Sequence, residues 1–282
     1  MKFPSDSFWL KVVDHSVSKE SFNLFHNSEY DLLQTLPQPT PENLSKYYES
    51  EDYISHTDSK RSLFERAYQL VKTYTLKRKV HLIDSVGNKG SLLDIGAGTG
   101  DFLISAKRNG WKVHGSEPGT NASKKAASKG LSLQSTTEGF ADDTFDVITM
   151  WHVLEHVPDP KAQISELKRL LKPDGVAVIA VPNFRSADAA HYSEYWAAYD
   201  VPRHLFHYSK KSIEMLFSEQ QISLIKVLPM PFDAFYVSLL SEKYKTGKMN
   251  MFKAFLAGMK SNLSGHKTHN FSSQIYILKN NN

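Results

Sequence analysis

The chain has 282 residues, of which 40% are hydrophobic and 23% charged, with a net charge of +4. That is enough for one large α/β domain, or one domain and a small appendage, around a packed core. The absence of cysteine excludes disulfides, thiolate catalysis and cysteine-ligated zinc and fits a cytoplasmic protein, while so mild a positive charge argues against a nucleic-acid surface.

The opening MKFPSDSFWLKVVDHS places Pro4 and Asp6 where an export signal needs an unbroken apolar run. No later segment reaches the apolar length of a membrane span. Residues 1–57 read as a small arm, partly stranded before Pro37, with the proline-rich LPQPTPEN (36–43) as an extended connection. Its aromatic residues are expected to bury it against the main domain. The main domain is expected over 58–282. It opens on a long helix, with Asp58 or Ser59 at its cap and Leu63, Ala67, Leu70, Val71 and Tyr74 on one apolar face. The basic groups Lys77-Arg78-Lys79 and Lys124-Lys125 read as solvated helix faces.

Strands and helices then alternate. SLLDIGA, WKVHGSE, LSLQST, TFDVITMWHVL, VAVIAVPN, ISLIKVLPM and SSQIYILKN read as strands. Between them GDFLISAKRNG, GTNASKKAASKG, DPKAQISELKRLLKPDG and SKKSIEMLFSEQQ read as helices stopped by glycine or Pro-Asp-Gly. This order predicts an α/β fold with a doubly wound, mostly parallel sheet and helices on both faces. Two long insertions, near 184–209 and 230–270, read as helical lids. Tyr192, Tyr195, Trp196 and Tyr199 of the first either line an acceptor pocket or pack the lid down. The second reads as two amphipathic helices whose apolar face packs on the domain, covers substrate or meets a partner chain. Membrane-surface binding weighs less, because its basic residues are few.

The first strand ends at Asp94 and turns through Gly96-Ala97-Gly98-Thr99-Gly100 into a helix that begins Asp101-Phe102. Bare glycines let a ligand lie on the backbone. A pyrophosphate-binding turn would carry a third glycine at 101, where this chain has an acid, and this disfavours a dehydrogenase. Carboxylates at 94 and 101 suit a cationic or zwitterionic ligand such as S-adenosylmethionine. Glu117, ending the second strand before Pro118, is placed to accept both hydroxyls of a ribose.

The segments LLDIGAGTGDFL, VHGSEPG, FDVITMWHVLEHVPDP and LLKPDGVAVIAVPN together resemble the class I S-adenosylmethionine-dependent methyltransferases, above all the ubiquinone-pathway O-methyltransferase group. The resemblance covers roughly residues 85–185. It implies a Rossmann-like seven-stranded sheet whose last strand runs antiparallel. It places Asp94, Gly96 and Gly98 along the methionine part of the cofactor, with Ala97, Gly100, Asp101 and Phe102 also among the cofactor-binding residues. Glu117 would meet the ribose, with Pro118 also cofactor-binding; residues near Thr137 to Phe140 would flank the adenine, Glu138 being the candidate acid; and Met150 and Trp151 would lie near the sulfonium. The product would be S-adenosylhomocysteine. In some relatives a cysteine-ligated zinc element precedes the domain; the arm here lacks those cysteines.

The stretch WHVLEH sets His152, Glu155 and His156 at i, i+3 and i+4, and His204 follows in DVPRHLFHYS. Metal-binding relatives show Glu-x-x-Glu-His here with a distant histidine; this chain has His152 for the first glutamate. Three readings stand. Glu155 and His156 are structural; or His156, His204 or His152 is a general base; or His152, Glu155, His156 and His204 hold a divalent metal. The function expected is methyl transfer to a small-molecule acceptor, at oxygen. The alternatives are an RNA or protein methyltransferase, or a cofactor-binding module without turnover.

Overall fold

The computed structural model describes residues 3–4, 6–40, 43, 45–48, 63–87 and 89–281. The expected cap at Asp58 or Ser59 lies outside them. Three antiparallel strands come first: β1 (Ser7–Val13), β2 (Ser21–Asn27) and β3 (Leu32–Leu36). Asp14 organises the first hairpin, its carboxylate accepting the backbone N–H groups of Ser16, Val17 and Ser18 at 3.1, 3.1 and 2.8 Å. Such Asx turns satisfy backbone donors locally.

Next come α1 (Leu63–Val86), β4 (Ser91–Ile95), α2 (Asp101–Arg108), β5 (Lys112–Ser116), α3 (Thr120–Ser128) and β6 (Phe145–Trp151). They are followed by α4 (Pro160–Leu170), β7 (Leu171–Pro182), α5 (Ala187–Tyr192), β8 (Phe206–His207), α6 (Lys210–Ser218) and β9 (Ile222–Pro229). The hairpin of α7 (Pro231–Thr246) and α8 (Met251–Thr268) precedes the last strand, β10 (Ser273–Asn280). Asp159 caps α4 by accepting the Ala162 N–H at 3.0 Å, with Pro160 pre-shaped for the first turn.

The main sheet runs β5-β4-β6-β7-β10-β9, parallel except for β10, which is antiparallel to both neighbours. This is the expected doubly wound fold with its antiparallel strand. The strand expected at 131–136 shrinks to one bridge, Ser116 with Gln134. Ser132, Gln134, Ser135 and Thr136 are all exposed, so no buried face pins a longer pairing. β7 starts at Leu171, taking in the Lys-Pro-Asp-Gly segment expected to lie before it.

Two apolar layers sandwich the sheet. Ile83, Phe102, Leu103 and Trp111 pack on one face with Leu92, Val147 and Val178. Leu154, Ile164, Leu167 and Phe217 pack on the other with Leu93, Ile148 and Ile179. A second sheet forms where β8, from the first insertion, pairs antiparallel with β3. Its core buries Tyr192, Trp196 and Tyr199 with Val12, Phe22 and Leu24. Those three aromatics therefore fasten the insertion to the N-terminal strands rather than line a pocket. Arg203 makes the same junction in polar form. Its guanidinium donates to Asp14 at 3.1 Å, to both carboxylate oxygens of Asp200 at 2.7 and 3.0 Å, to the Tyr47 carbonyl at 2.9 Å, and to Ser16.

Candidate functional site

The carboxyl ends of β4, β5 and β6 meet at one edge of the sheet, where open α/β sheets place their ligands. At the end of β4 the chain bends sharply. Gly96 and Ala97 donate their N–H groups to the Ser116 carbonyl at 2.9 and 3.0 Å. Gly96 has φ +69°, and a Cβ there would come within 2.5 Å of Val153. Gly98 has φ +54°, and a Cβ there would meet nothing within 4 Å. The first glycine lets the turn close on its own protein; the second faces open space, with only backbone towards a ligand. Gly100, also at positive φ, precedes α2.

Glu117 reaches across from β5. Its carboxylate accepts the Gly98 N–H at 2.8 Å and the Gly119 N–H at 2.7 Å, on either side of Pro118. Asp94 lies buried beneath the turn and accepts from Thr149 at 2.6 Å. Burial pushes its carboxyl up to about 7, against the pull of Thr149 and Lys79. Asp101 is half-buried and ion-paired to Lys72 and Lys129 at 2.7 and 2.6 Å. Burial opposes its ionisation, but the two lysines hold its carboxyl below the usual range. In this structure two lysines already pair with the Asp101 carboxylate that the sequence sets beside the turn. Glu138 is exposed in the loop that Gln134 pins beside Glu117.

Met150 is fully buried at the end of β6. Trp151 stands edge-on to Phe102 at 5.5 Å, and its indole N–H is buried without a partner. Lys79 sits 4.2 Å from the Trp151 ring centroid. Burial pulls its ammonium pKa down, against the raising charges of Asp94 and Asp233. The reading of 77–79 as a wholly solvated face is corrected here, because Lys79 turns inward. Beside it a cavity of about 200 Å³ opens between α1 and the start of α7, lined by Thr75, Arg78, Lys79, Met230, Phe232 and Asp233 among others.

His152, at φ +57°, places its imidazole between Glu155 (Nδ1 to Oε1, 3.3 Å) and Asp233 (Nε2 to Oδ2, 3.1 Å). Burial alone would lower its pKa, but the two carboxylates hold it up at about 10. Both ring nitrogens of His152 thus face carboxylates, and His152 stands outside the group of side chains whose ligand atoms converge.

Glu155, His156 and His204 do converge, with one ligand atom from each within 4.8 Å of the others. The His156 and His204 rings lie edge to face at 4.6 Å. His156 Nδ1 lies 3.0 Å from the Arg203 carbonyl, and His204 Nδ1 lies 2.9 Å from that of Ala198. Metal-ligating histidines are commonly oriented by such second contacts. Burial, with the His156 charge, pushes His204 down to about 4, leaving it neutral. The Glu155 carboxylate is 1% exposed, and neither oxygen makes a hydrogen bond of good geometry, the 3.3 Å contact to His152 being an ion pair only. A buried carboxylate whose oxygens accept no hydrogen bond, converging with two imidazoles, is a donor set that fits a divalent cation.

Lys79 and Asp233 escape a reading of motifs. The signal for Lys79 is only its place beside Leu76, Val80 and Ile83, the side that α1 buries, whereas the expected apolar face is exposed at Leu70, Val71 and Tyr74. Asp233 lies about 80 residues from the histidine it holds, and only folding brings them together.

A family model described as a methyltransferase domain matches residues 64–227, more than half of the chain. The ubiquinone biosynthesis O-methyltransferase of Actinobacillus pleuropneumoniae is 41% identical over 106 residues, which are 33% of this chain and 45% of that protein. The corresponding enzyme of Pasteurella multocida is 39% identical over 111 residues. The chain thus spans less than half the length of these curated relatives. The geranyl diphosphate C-methyltransferase of Streptomyces coelicolor, solved with Mg2+ and S-adenosylhomocysteine, superposes with a TM-score of 0.58 at 13% identity, over 86% of this chain and 99% of that one. The phosphoethanolamine N-methyltransferase 2 of Haemonchus contortus superposes at 0.57 and 16% identity, over 89% and 63%. At such identities these structures establish a shared fold.

Proposed function

The chain belongs to the methyltransferase-domain family, and from that premise we propose that it transfers the methyl group of S-adenosylmethionine to oxygen on a small-molecule acceptor. The observation that carries this reading is the Glu117 carboxylate held over the bare backbone of Gly98. It accepts the two ribose hydroxyls, while Asp94 and the glycine turn take the α-ammonium end and Lys79 the carboxylate. Trp151 stands near the sulfonium, as the last residue of β6.

The chemistry is an in-line displacement. An oxygen lone pair forms the new bond to the methyl carbon as the C–S bond breaks, and sulfur keeps the electron pair. The acceptor gives up a proton, and S-adenosylhomocysteine leaves. Most of the rate then comes from holding acceptor and methyl group close and aligned. The cavity beside Lys79 and Asp233 suits the acceptor, since Lys79, which lines it, also lies over the Trp151 ring. Its apolar wall holds a hydrocarbon body, and Arg78 favours an anionic or acidic group.

Glu155, His156 and His204 are the residues that would hold a divalent ion. Such an ion would lower the pKa of an acceptor hydroxyl. These side chains cannot be ligands and bases at once, and the orphaned Glu155 oxygens favour the ligand role. The O-methyltransferase relatives support oxygen as the accepting atom. Calorimetric titration with S-adenosylmethionine and S-adenosylhomocysteine, followed by a screen of phenolic and catecholic acceptors, tests the reading. Binding of neither would refute the cofactor assignment, and methylation confined to nitrogen or carbon acceptors would refute the choice of oxygen.

A further inference from the structure

The α7–α8 hairpin carries an apolar surface left uncovered among the described residues. α8 packs inward through Ala254, Gly258, Ser261 and Gly265, a buried stripe of small residues. Phe252, Phe255, Leu256, Met259 and Leu263 instead face solvent, with Phe252 71% exposed. The surface is continuous by contact. Phe255 stacks on Phe235 with ring centroids 5.4 Å apart. Phe235 lies one turn after the exposed Phe232 on α7, at i+3. Phe232 meets Tyr74 of α1 edge-on at 5.7 Å. The strip therefore ends at the mouth of the Lys79 cavity, which Phe232 lines.

Charge borders this strip on one side. Lys253, Lys260 and Lys267 recur every seven residues, so they form a second stripe along α8 beside the apolar one. Exposed Lys245 and Lys248 extend it around the hairpin turn. The segment after Glu242 carries seven lysines and no aspartate or glutamate. That changes the weight of the few basic residues seen in the sequence, since no acid offsets them. It also disfavours a second copy of the chain as the covering partner. A two-fold contact of this face with itself would set lysine against lysine. A bilayer surface with anionic headgroups is complementary, with apolar depth under a negative rim.

We propose that the hairpin docks on an anionic bilayer, with Phe252, Phe255 and Met259 entering the headgroup layer and the lysine stripe lying against lipid phosphates. The geometry also turns the cavity mouth towards that surface. No helix among the described residues is long and apolar enough to cross a membrane, so this is a surface contact.

The test is co-sedimentation of the full chain with vesicles of phosphatidylcholine alone or with about one-third phosphatidylglycerol. Binding is expected on the anionic vesicles, weakened by salt and by removal of phosphatidylglycerol. Phe252→Ser with Met259→Ser, and separately Lys253→Glu with Lys260→Glu, should each weaken partitioning by roughly tenfold or more, at unchanged melting temperature. No binding to anionic vesicles would overturn the proposal. So would binding that neither pair of substitutions alters, or self-association that both pairs abolish without any vesicle binding.

Discussion

Arg203→Met is the sharpest perturbation this structure offers. Arg203 is 2% exposed, and its Asp14 partner has no exposed side-chain surface. Methionine fills a similar volume but leaves the Asp14 carboxylate without its cation. Breaking a buried pair in this way costs about 3–5 kcal/mol. Asp14 retains the N–H groups of Ser16, Val17 and Ser18, and Asp200 keeps some access to water, which points to the lower part of that range. The orphaned Tyr47 carbonyl adds about 1 kcal/mol. The expected loss is therefore about 4 kcal/mol, a large share of the roughly 5–15 kcal/mol that stabilises a typical protein. Urea unfolding should show the midpoint falling by about 1 M or more if the slope is near 3 kcal/mol/M. Adding Asp14→Asn removes the stranded charge and should restore about half of the loss. A single-variant loss below about 1 kcal/mol, or additive effects in the double variant, would refute the reasoning.

Three further outcomes are expected. Glu117→Ala should weaken S-adenosylmethionine binding by about 1.5–3 kcal/mol, the worth of a hydrogen bond to a charged group; calorimetry would show unchanged affinity if Glu117 lies outside the pocket. Asp94 sits near 7 in the free protein, and a cationic ligand favours its ionised form, so cofactor affinity should fall about tenfold from pH 8 to pH 6, with proton release on binding. Asp94→Asn should flatten that profile, and an identical profile in the variant would remove Asp94 from the account. Glu155→Ala should abolish retention of a divalent ion, measured by elemental analysis after dialysis, and leave cofactor affinity within about threefold; equal metal content in both proteins would disprove the Glu155-His156-His204 site.

Much of the sheet is legible in the sequence because its strands are short apolar runs closed by glycine. Asp94, Gly98 and Glu117 are legible for a related reason, since a turn made of bare backbone constrains what can lie over it. The roles of the histidines are not. WHVLEH places His152, Glu155 and His156 together but does not show that Asp233 takes up the first through its Nε2. His204 enters the cluster only because the insertion folds back: the Leu205 N–H donates to the Glu155 carbonyl at 2.8 Å. The arm follows the same logic. Its strands alternate recognisably, but β3 finds its partner in two residues of a distant loop. Tyr192, Trp196 and Tyr199 look like pocket residues in a linear reading because burial against a remote strand leaves no local signature.

The pairing of β3 with β8 also has a history in time. Leu33 and Gln34 wait for His207 and Phe206, which the ribosome makes more than 170 residues later. At ordinary synthesis rates that delay is on the order of ten to thirty seconds. Through it, the nascent arm presents an open strand edge and an uncovered Phe22-Leu24-Leu33 surface, the features that invite pairing with other chains. Asp14 is meanwhile without Arg203. The arm is thus synthesised before the main domain and is among the last parts completed, and faster elongation or early chaperone capture should raise the yield of native protein more than a stronger main sheet would.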